Sequence, residues 1–316
     1  MAGIQKHVKN IAWPCVIKGC NCQAINSHLL QRNGVLSMIG NGSNNYYEIR
    51  NTDANLWVDN EYTFAFKRVG IKEALSLKLF CNTHDTELFL PIEQKQVDFE
   101  DYTNQLLFCL RTTYSEIRKK EMNIEIFSRM KNSHELALPM DSIESLENEI
   151  ELNRLGIHDL YQDIIIINNE ISNPTNRINF VHRTFDRQDV YATATVSYDN
   201  MTIREQYDSN TKMDSFFFNL VPYNKELHVL IGYDTCDTNE GITNYINIWE
   251  NCTQGNLGCL LTGIFASKIE NWGMSEKLYK MIQKSKLEDF IALFANKMNK
   301  YPEELMCNFN LFDGIF

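Results

Sequence analysis

Three observations predict an α+β protein. Two short cysteine/histidine pairs near the N-terminus mark a small metal-bound unit, and two stretches in the middle of the chain carry apolar residues at helical spacing. The block from Ile178 to about Tyr233 consists of β-branched and aromatic runs separated by Asp, Asn and Pro turns. The elements follow in chain order.

Residues 10 to 92 read as a unit of short strands and one short helix. Ser27-His28-Leu29-Leu30-Gln31 opens an apolar-periodic stretch that reaches Ile39, and Gly40-Asn41-Gly42-Ser43-Asn44-Asn45 breaks it. Strand-like pieces are expected at Tyr46 to Arg50, Leu56 to Val58 and Tyr62 to Phe66. From Phe99 to about Arg129 the residues Leu106, Leu107, Leu110, Tyr114, Ile117 and Met122 predict a long amphipathic helix. Its charged residues Arg111, Glu116, Arg118, Lys119, Lys120 and Glu121 are expected on a solvated face with helix-spaced ion pairs. A second helix follows Pro139, where Asp141 and Glu144 have the spacing of an N-terminal cap and its reciprocal partner, and runs to about Asn168.

Phe180 to Phe185, Tyr191 to Tyr198, Phe216 to Val221 and Leu227 to Ile231 predict an antiparallel meander, with Phe216-Phe217-Phe218 as buried strand aromatics. Ile246 to Phe265 and Lys277 to Met298 return to helical spacing, the first interrupted by Gly255, Gly258 and Gly263. The chain thus divides into a metal-bound unit (1–98), a helical segment (99–172) and an α+β region with terminal helices (173–316), all expected to pack together.

The metal reading rests on Cys15-Val-Ile-Lys-Gly-Cys20 and Cys81-Asn-Thr-His84. A structural zinc takes four thiolate or imidazole ligands, commonly as two short knuckles that close one tetrahedron. Pro14 fixes φ before the first ligand and Gly19 stands where the knuckle must turn back. Cys22 could supply the same corner as Cys20, although a one-residue gap is a poor spacing for two ligands on one ion. Cys109, Cys236, Cys252, Cys259 and Cys307 read as ordinary small apolar residues.

With 316 residues, 44% of them hydrophobic and 11% aromatic, the chain has ample material for a packed core. The opening residues lack the basic and apolar regions of a signal peptide, no run approaches a membrane span, and nine cysteines do not suit a disulfide-framed secreted domain; the expectation is a cytoplasmic protein with no membrane partner. A net charge of −11 weighs against nucleic acid, but its distribution is uneven. Residues 1–131 hold 16 Lys+Arg against 14 Asp+Glu, a net of +2, and residues 132–316 hold 14 against 27, a net of −13. Any nucleic-acid contact is therefore expected in the N-terminal unit and the long helix, near Lys6, Lys9, Lys18, Arg32 and Arg118 to Lys120. The acidic half is expected to meet a protein partner or its own copy.

Cys15-x4-Cys20, then Ser27-His28, then Cys81-x2-His84-Asp85, resembles the zinc-bound treble-clef frame of HNH-type endonucleases over roughly residues 13 to 93. Phe80-Cys81-x-x-His84-Asp85-x-x-Leu88-Phe89 with Ser27-His28 upstream also looks like a group of bacterial proteins of unassigned function. The nuclease resemblance implies Cys15, Cys20, Cys81 and His84 as structural zinc ligands and His28 as general base. Asp85 and Glu87 lie where oxygen ligands for a catalytic Mg2+ would be wanted. The match departs from the family at Ser27, where an acidic residue or a second His normally precedes the base, and no downstream catalytic Asn or His is evident. His28 can equally be a packed structural histidine or a zinc ligand. Asp85 can equally cap the following helix or accept a hydrogen bond from His84.

No glycine-rich phosphate loop, Gly-x-Ser-x-Gly elbow or His-Glu-x-x-His motif is present. Two functional expectations follow. One is a zinc-stabilised interaction or regulatory module, by analogy with a place in bacterial defence against phage. The other is an HNH-like metal-dependent nuclease.

Overall fold

The computed structural model describes residues 2–51, 64–133, 136, 138–197, 212–297 and 308–316. The expected strand at Leu56 to Val58, Cys307, and the ends of the expected elements at Tyr62, Tyr198 and Met298 lie outside the described residues.

The core of the fold is a seven-stranded antiparallel sheet. Its strands are β2 (Asn45–Asn51), β3 (Phe64–Gly70), β5 (Ile178–Asp186), β6 (Val190–Ser197), β7 (Ser215–Tyr223), β8 (Glu226–Asp234) and β9 (Trp272–Ser275), in the spatial order β3-β2-β9-β6-β7-β8-β5. Side chains alternate across a strand, and here both faces are covered. Val190, Ala192, Ala194, Phe216, Phe218, Leu220, Val229 and Ile231 enter one core, whereas Tyr191, Phe217, Val221 and Leu230 enter the other. Burial on both faces explains why β6 and β7 read as clustered apolar runs rather than clean alternation. The aromatic triple is buried as expected, with Phe217 facing away from its two neighbours.

The antiparallel character is as expected, but the order is not that of a simple meander. β6, β7 and β8 are consecutive neighbours, whereas β5 lies outside β8. Residues 187–189 carry the chain across the β7–β8 turn, where the Arg187 amide donates to the Lys225 carbonyl and its guanidinium to the Asn224 carbonyl. The hairpin of β2 and β3 joins the same sheet through the pairing of Tyr46, Tyr47 and Glu48 with Ser275, Met274 and Gly273. Residues 45–51 and 64–70 therefore belong to the large sheet rather than to the unit that carries the Cys/His pairs.

On one face lie α6 (Glu240–Glu250), α7 (Gln254–Ser267) and α9 (Lys284–Lys297), with the short α8 (Glu276–Met281) following β9. The expected Ile246 to Phe265 helix is broken at residues 251–253, where Thr253 and Asn256 form a reciprocal cap. Gly255, Gly258 and Gly263 are accommodated inside α7; a side chain at Gly258 would meet Asn310.

On the other face lie α4 (Tyr102–Lys131) and α5 (Met140–Ser172), packed on each other, together with the N-terminal unit. Asp101 caps α4 by accepting from the Asn104 amide. Pro139, not Asp141, occupies the cap position of α5, and no side chain caps it.

The end of α5 is pinned by one carboxylate. Glu170 accepts from Tyr102 Oη at 2.6 Å, from the Thr175 amide at 3.0 Å and hydroxyl, and from the Arg177 amide at 3.2 Å. Burial alone would raise its pKa, but the bonds from Thr175, Tyr102 and Arg177 outweigh burial and hold it at about 2, against 4.5 for an ordinary Glu. A depressed folded-state pKa means that the ionised group stabilises the fold above pH 4.5, and that this contribution is lost as the pH falls from about 4.5 to about 2. Glu170→Gln is therefore expected to lower the melting temperature at pH 7 and to flatten its decline with acid. An unchanged acid limb in pH-resolved thermal melts would contradict this.

Candidate metal centre

The first knuckle is a hairpin. Pro14 is bridged to Gln23, the Cys15 amide donates to the Cys22 carbonyl at 2.8 Å, and the turn is completed by Cys20 N to Ile17 O at 3.0 Å. Gly19 sits at φ +85°, the left-handed conformation that glycine adopts without steric cost. The second knuckle is the start of α3 (Asn82–Phe89), with Cys81 at the cap position and His84 three residues on, so both side chains share one helix face.

Backbone bonds from Val16 N to Leu79 O at 2.9 Å and from Ile25 N to Phe80 O at 2.7 Å bring the knuckles together. Nearby, β1 (Asn26–His28) pairs with β4 (Ser76–Lys78). The apolar-periodic stretch that opens at Ser27 is a strand at its start, because Ser27 pairs with Leu77 and Leu29 N bonds Leu75 O; helical turns begin at Arg32 and run on through α2 (Ser37–Gly40).

The result is convergence of four ligand atoms. Cys15 Sγ lies 3.3 Å and Cys81 Sγ 3.4 Å from His84 Nδ1, and Cys20 Sγ lies 3.9 Å from Cys81 Sγ. All four atoms lie within 4.8 Å of one another. A tetrahedral ion with thiolate and imidazole ligands has S···S edges of about 3.8 Å and S···N edges of about 3.6 Å, so this Cys3His group could hold a metal ion. Cys15 and Cys81 are buried, Cys20 and His84 half-buried, and the exposed Cys22 is not one of the four. Among the described residues no other group of three or more Cys, His, Asp or Glu side chains converges in this way.

Two arginines expected on a solvated helix face are instead buried beneath this unit. Arg118 is 1% exposed; its guanidinium lies 4.7 Å over the Trp13 ring, donates to the Pro14 carbonyl at 2.6 Å and pairs with Glu121 at 3.1 Å. Arg111 is 2% exposed, lies 4.2 Å over the Phe89 ring and pairs with Glu93 at 2.6 Å. One arginine thus holds the residue before Cys15 and the other the end of α3. Aromatic rings and carbonyl or carboxylate oxygens replace the water each guanidinium has lost. Sequence reasoning missed both anchors, and the signal available was the presence of Trp13 and Phe89 beside the knuckles. Of the expected nucleic-acid contacts, Lys6, Lys9, Lys18 and Arg32 are exposed, whereas Arg118 is enclosed and Lys119 pairs with Glu116 and Glu270.

His28 and Asp85 lie beside the centre and not in it. His28 is half-buried with Nε2 2.8 Å from the Ile71 carbonyl, and burial lowers its pKa. A proton on Nε2 then donates to that carbonyl and leaves Nδ1 as the acceptor. Burial raises the pKa of half-buried Asp85, opposed by the Arg111 charge, the Ser27 hydroxyl and His28. Asp85 Oδ1 and Arg111 Nε are enclosed with no hydrogen-bond partner among the described residues. The Asp85 amide bonds the Cys81 carbonyl as part of α3, so its side chain does not cap that helix. Glu87 is exposed on α3.

Among the described residues no helix is long and apolar enough to cross a membrane. Comparison of the chain with protein-family models, curated proteins and solved structures finds no match.

Proposed function

We propose that the chain is a zinc-stabilised interaction or regulatory module, in which Cys15, Cys20, Cys81 and His84 hold a structural zinc in a treble-clef-like frame. The observation that carries the reading is the four-ligand group itself. Three thiolates and one imidazole complete a tetrahedron, which leaves no position for water or substrate. Zinc suits this donor set better than Mg2+ or Ca2+, which take oxygen ligands. Partner contact is assigned to the acidic half, where the first turns of α5 present exposed Asp141, Glu144, Glu147, Glu149 and Glu151. Loss of fold on zinc removal tests the metal part of the reading.

A second reading, an HNH-like nuclease, is favoured by the neutral His28 with Nδ1 left as acceptor and by Asp85 beside it with an unpartnered oxygen. In that reading His28 takes a proton from water and Asp85 contributes to holding a divalent cation such as Mg2+. The test is His28→Ala assayed for cleavage of DNA and RNA with Mg2+. The nuclease reading predicts that cleavage falls by 100-fold or more, a general base contributing about 10²–10⁴, while zinc content and melting temperature stay as in the parent. No cleavage by the parent protein, or loss of zinc in the variant, removes His28 as a base.

A further inference from the structure

A fifth thiol stands at the metal centre outside the four-ligand group. Cys15 and Cys22 face each other across the first knuckle, since Pro14 is bridged to Gln23 and Cys15 N bonds Cys22 O at 2.8 Å. Opposed residues of an antiparallel pair project to the same side, so the Cys22 thiol points to the side of the hairpin that carries the Cys15 ligand. Its thiol is close enough to Cys20 and Cys81 to interact with both. Burial separates their roles: Cys15 and Cys81 are buried, Cys20 is half-buried and Cys22 is exposed. An oxidant arriving from solvent therefore meets Cys20 first among the ligands, with Cys22 next to it.

We propose that Cys20 and Cys22 form an oxidation-sensitive pair, in which a peroxide oxidises the ligand Cys20 and Cys22 closes a disulfide on it, releasing the metal. This rests on the zinc reading of the four ligands. In the first step the Cys20 thiolate attacks hydrogen peroxide, giving the sulfenic acid and hydroxide. In the second, the Cys22 thiol displaces that hydroxyl as water, forming the Cys20–Cys22 S–S bond, so that two electrons pass from the two sulfurs to one peroxide. The metal loses one of its four ligands and two thiols are consumed, both recoverable by a thiol reductant. Residues two apart fall within the Cα separation of about 4.4–6.8 Å that disulfides span whenever the chain is not fully extended.

The test uses the full chain, its zinc content first measured, and then treated with hydrogen peroxide. Zinc release is followed with a chromophoric chelator, and disulfides are mapped by mass spectrometry after alkylation. The expected result is release of one zinc per chain with a Cys20–Cys22 disulfide, reversed by dithiothreitol and re-added zinc. Cys22→Ser is expected to bind zinc as the parent does, but to lose it through a sulfinic acid at Cys20 that dithiothreitol does not repair. A parent protein that holds one zinc, and in which Cys22 remains alkylatable after release, overturns this proposal alone. So does a Cys22→Ser variant that recovers as the parent does. A folded parent with no zinc overturns the zinc reading as well.

Discussion

Removal of the metal is expected to unfold the N-terminal unit, and Cys81→Ser to have the same effect. Structural zinc contributes apparent binding energies of about 10–16 kcal/mol in small finger-like units, comparable with the entire 5–15 kcal/mol by which typical domains are stable. The unit has little regular secondary structure of its own. Its strands β1 and β4 are three residues each, and the two knuckles are separated by sixty residues of chain. Cys81 links the two halves directly, at 3.9 Å to Cys20, and lies 3.4 Å from His84 within its own knuckle. Because Leu79, Phe80 and Cys81 share a core with Leu106, Leu110 and Phe217, loss of the unit also exposes one face of α4 and the sheet. Chelator-treated protein and Cys81→Ser should therefore be cut by protease within residues 11–30 and 76–93 and should aggregate on heating. A proteolysis pattern identical to that of the untreated protein would contradict this.

The next largest effect is expected from Arg118→Ala. The guanidinium holds the Pro14 carbonyl and lies over Trp13, so its loss frees the backbone immediately before Cys15. Partners that orient metal ligands commonly cost 10- to 100-fold in affinity when removed. Zinc affinity measured by chelator competition should fall by roughly that factor, and Glu121 should lose its ion pair. Arg118→Lys should not restore affinity, because an ammonium cannot reproduce the planar stack on Trp13 together with the bond to Pro14. Unchanged zinc affinity in Arg118→Ala would show that the helix does not support the knuckle.

The convergence of the four Cys and His side chains was legible because its signal is local. Cys15/Cys20 and Cys81/His84 each converge through a tight turn or one helical turn, and both spacings are visible in a few residues of chain. Helices α4 and α5 were legible for a similar reason, since apolar periodicity over thirty residues needs no tertiary information. The buried arginines were not. A charged residue at helical spacing looks the same whether it faces water or an aromatic ring elsewhere in the chain, and only the packed structure shows Arg111 over Phe89 and Arg118 over Trp13. The membership of β2 and β3 in the large sheet was hidden likewise, because it depends on pairing Tyr46–Glu48 with residues 273–275. The place of β5 beside β8 depends on a crossing over a turn that local patterns do not encode.

His28 shows how far local reading goes. The sequence left it as base, ligand or structural histidine, and the ring now has a fixed partner in the Ile71 carbonyl. That contact sets which nitrogen is free.

Elemental analysis of purified, folded protein, combined with X-ray absorption at the zinc edge, tests the central claim most directly. The prediction is one zinc per chain, with about three sulfur ligands near 2.3 Å and one nitrogen near 2.0 Å. Well-folded protein without zinc, or zinc held by oxygen ligands, would contradict it.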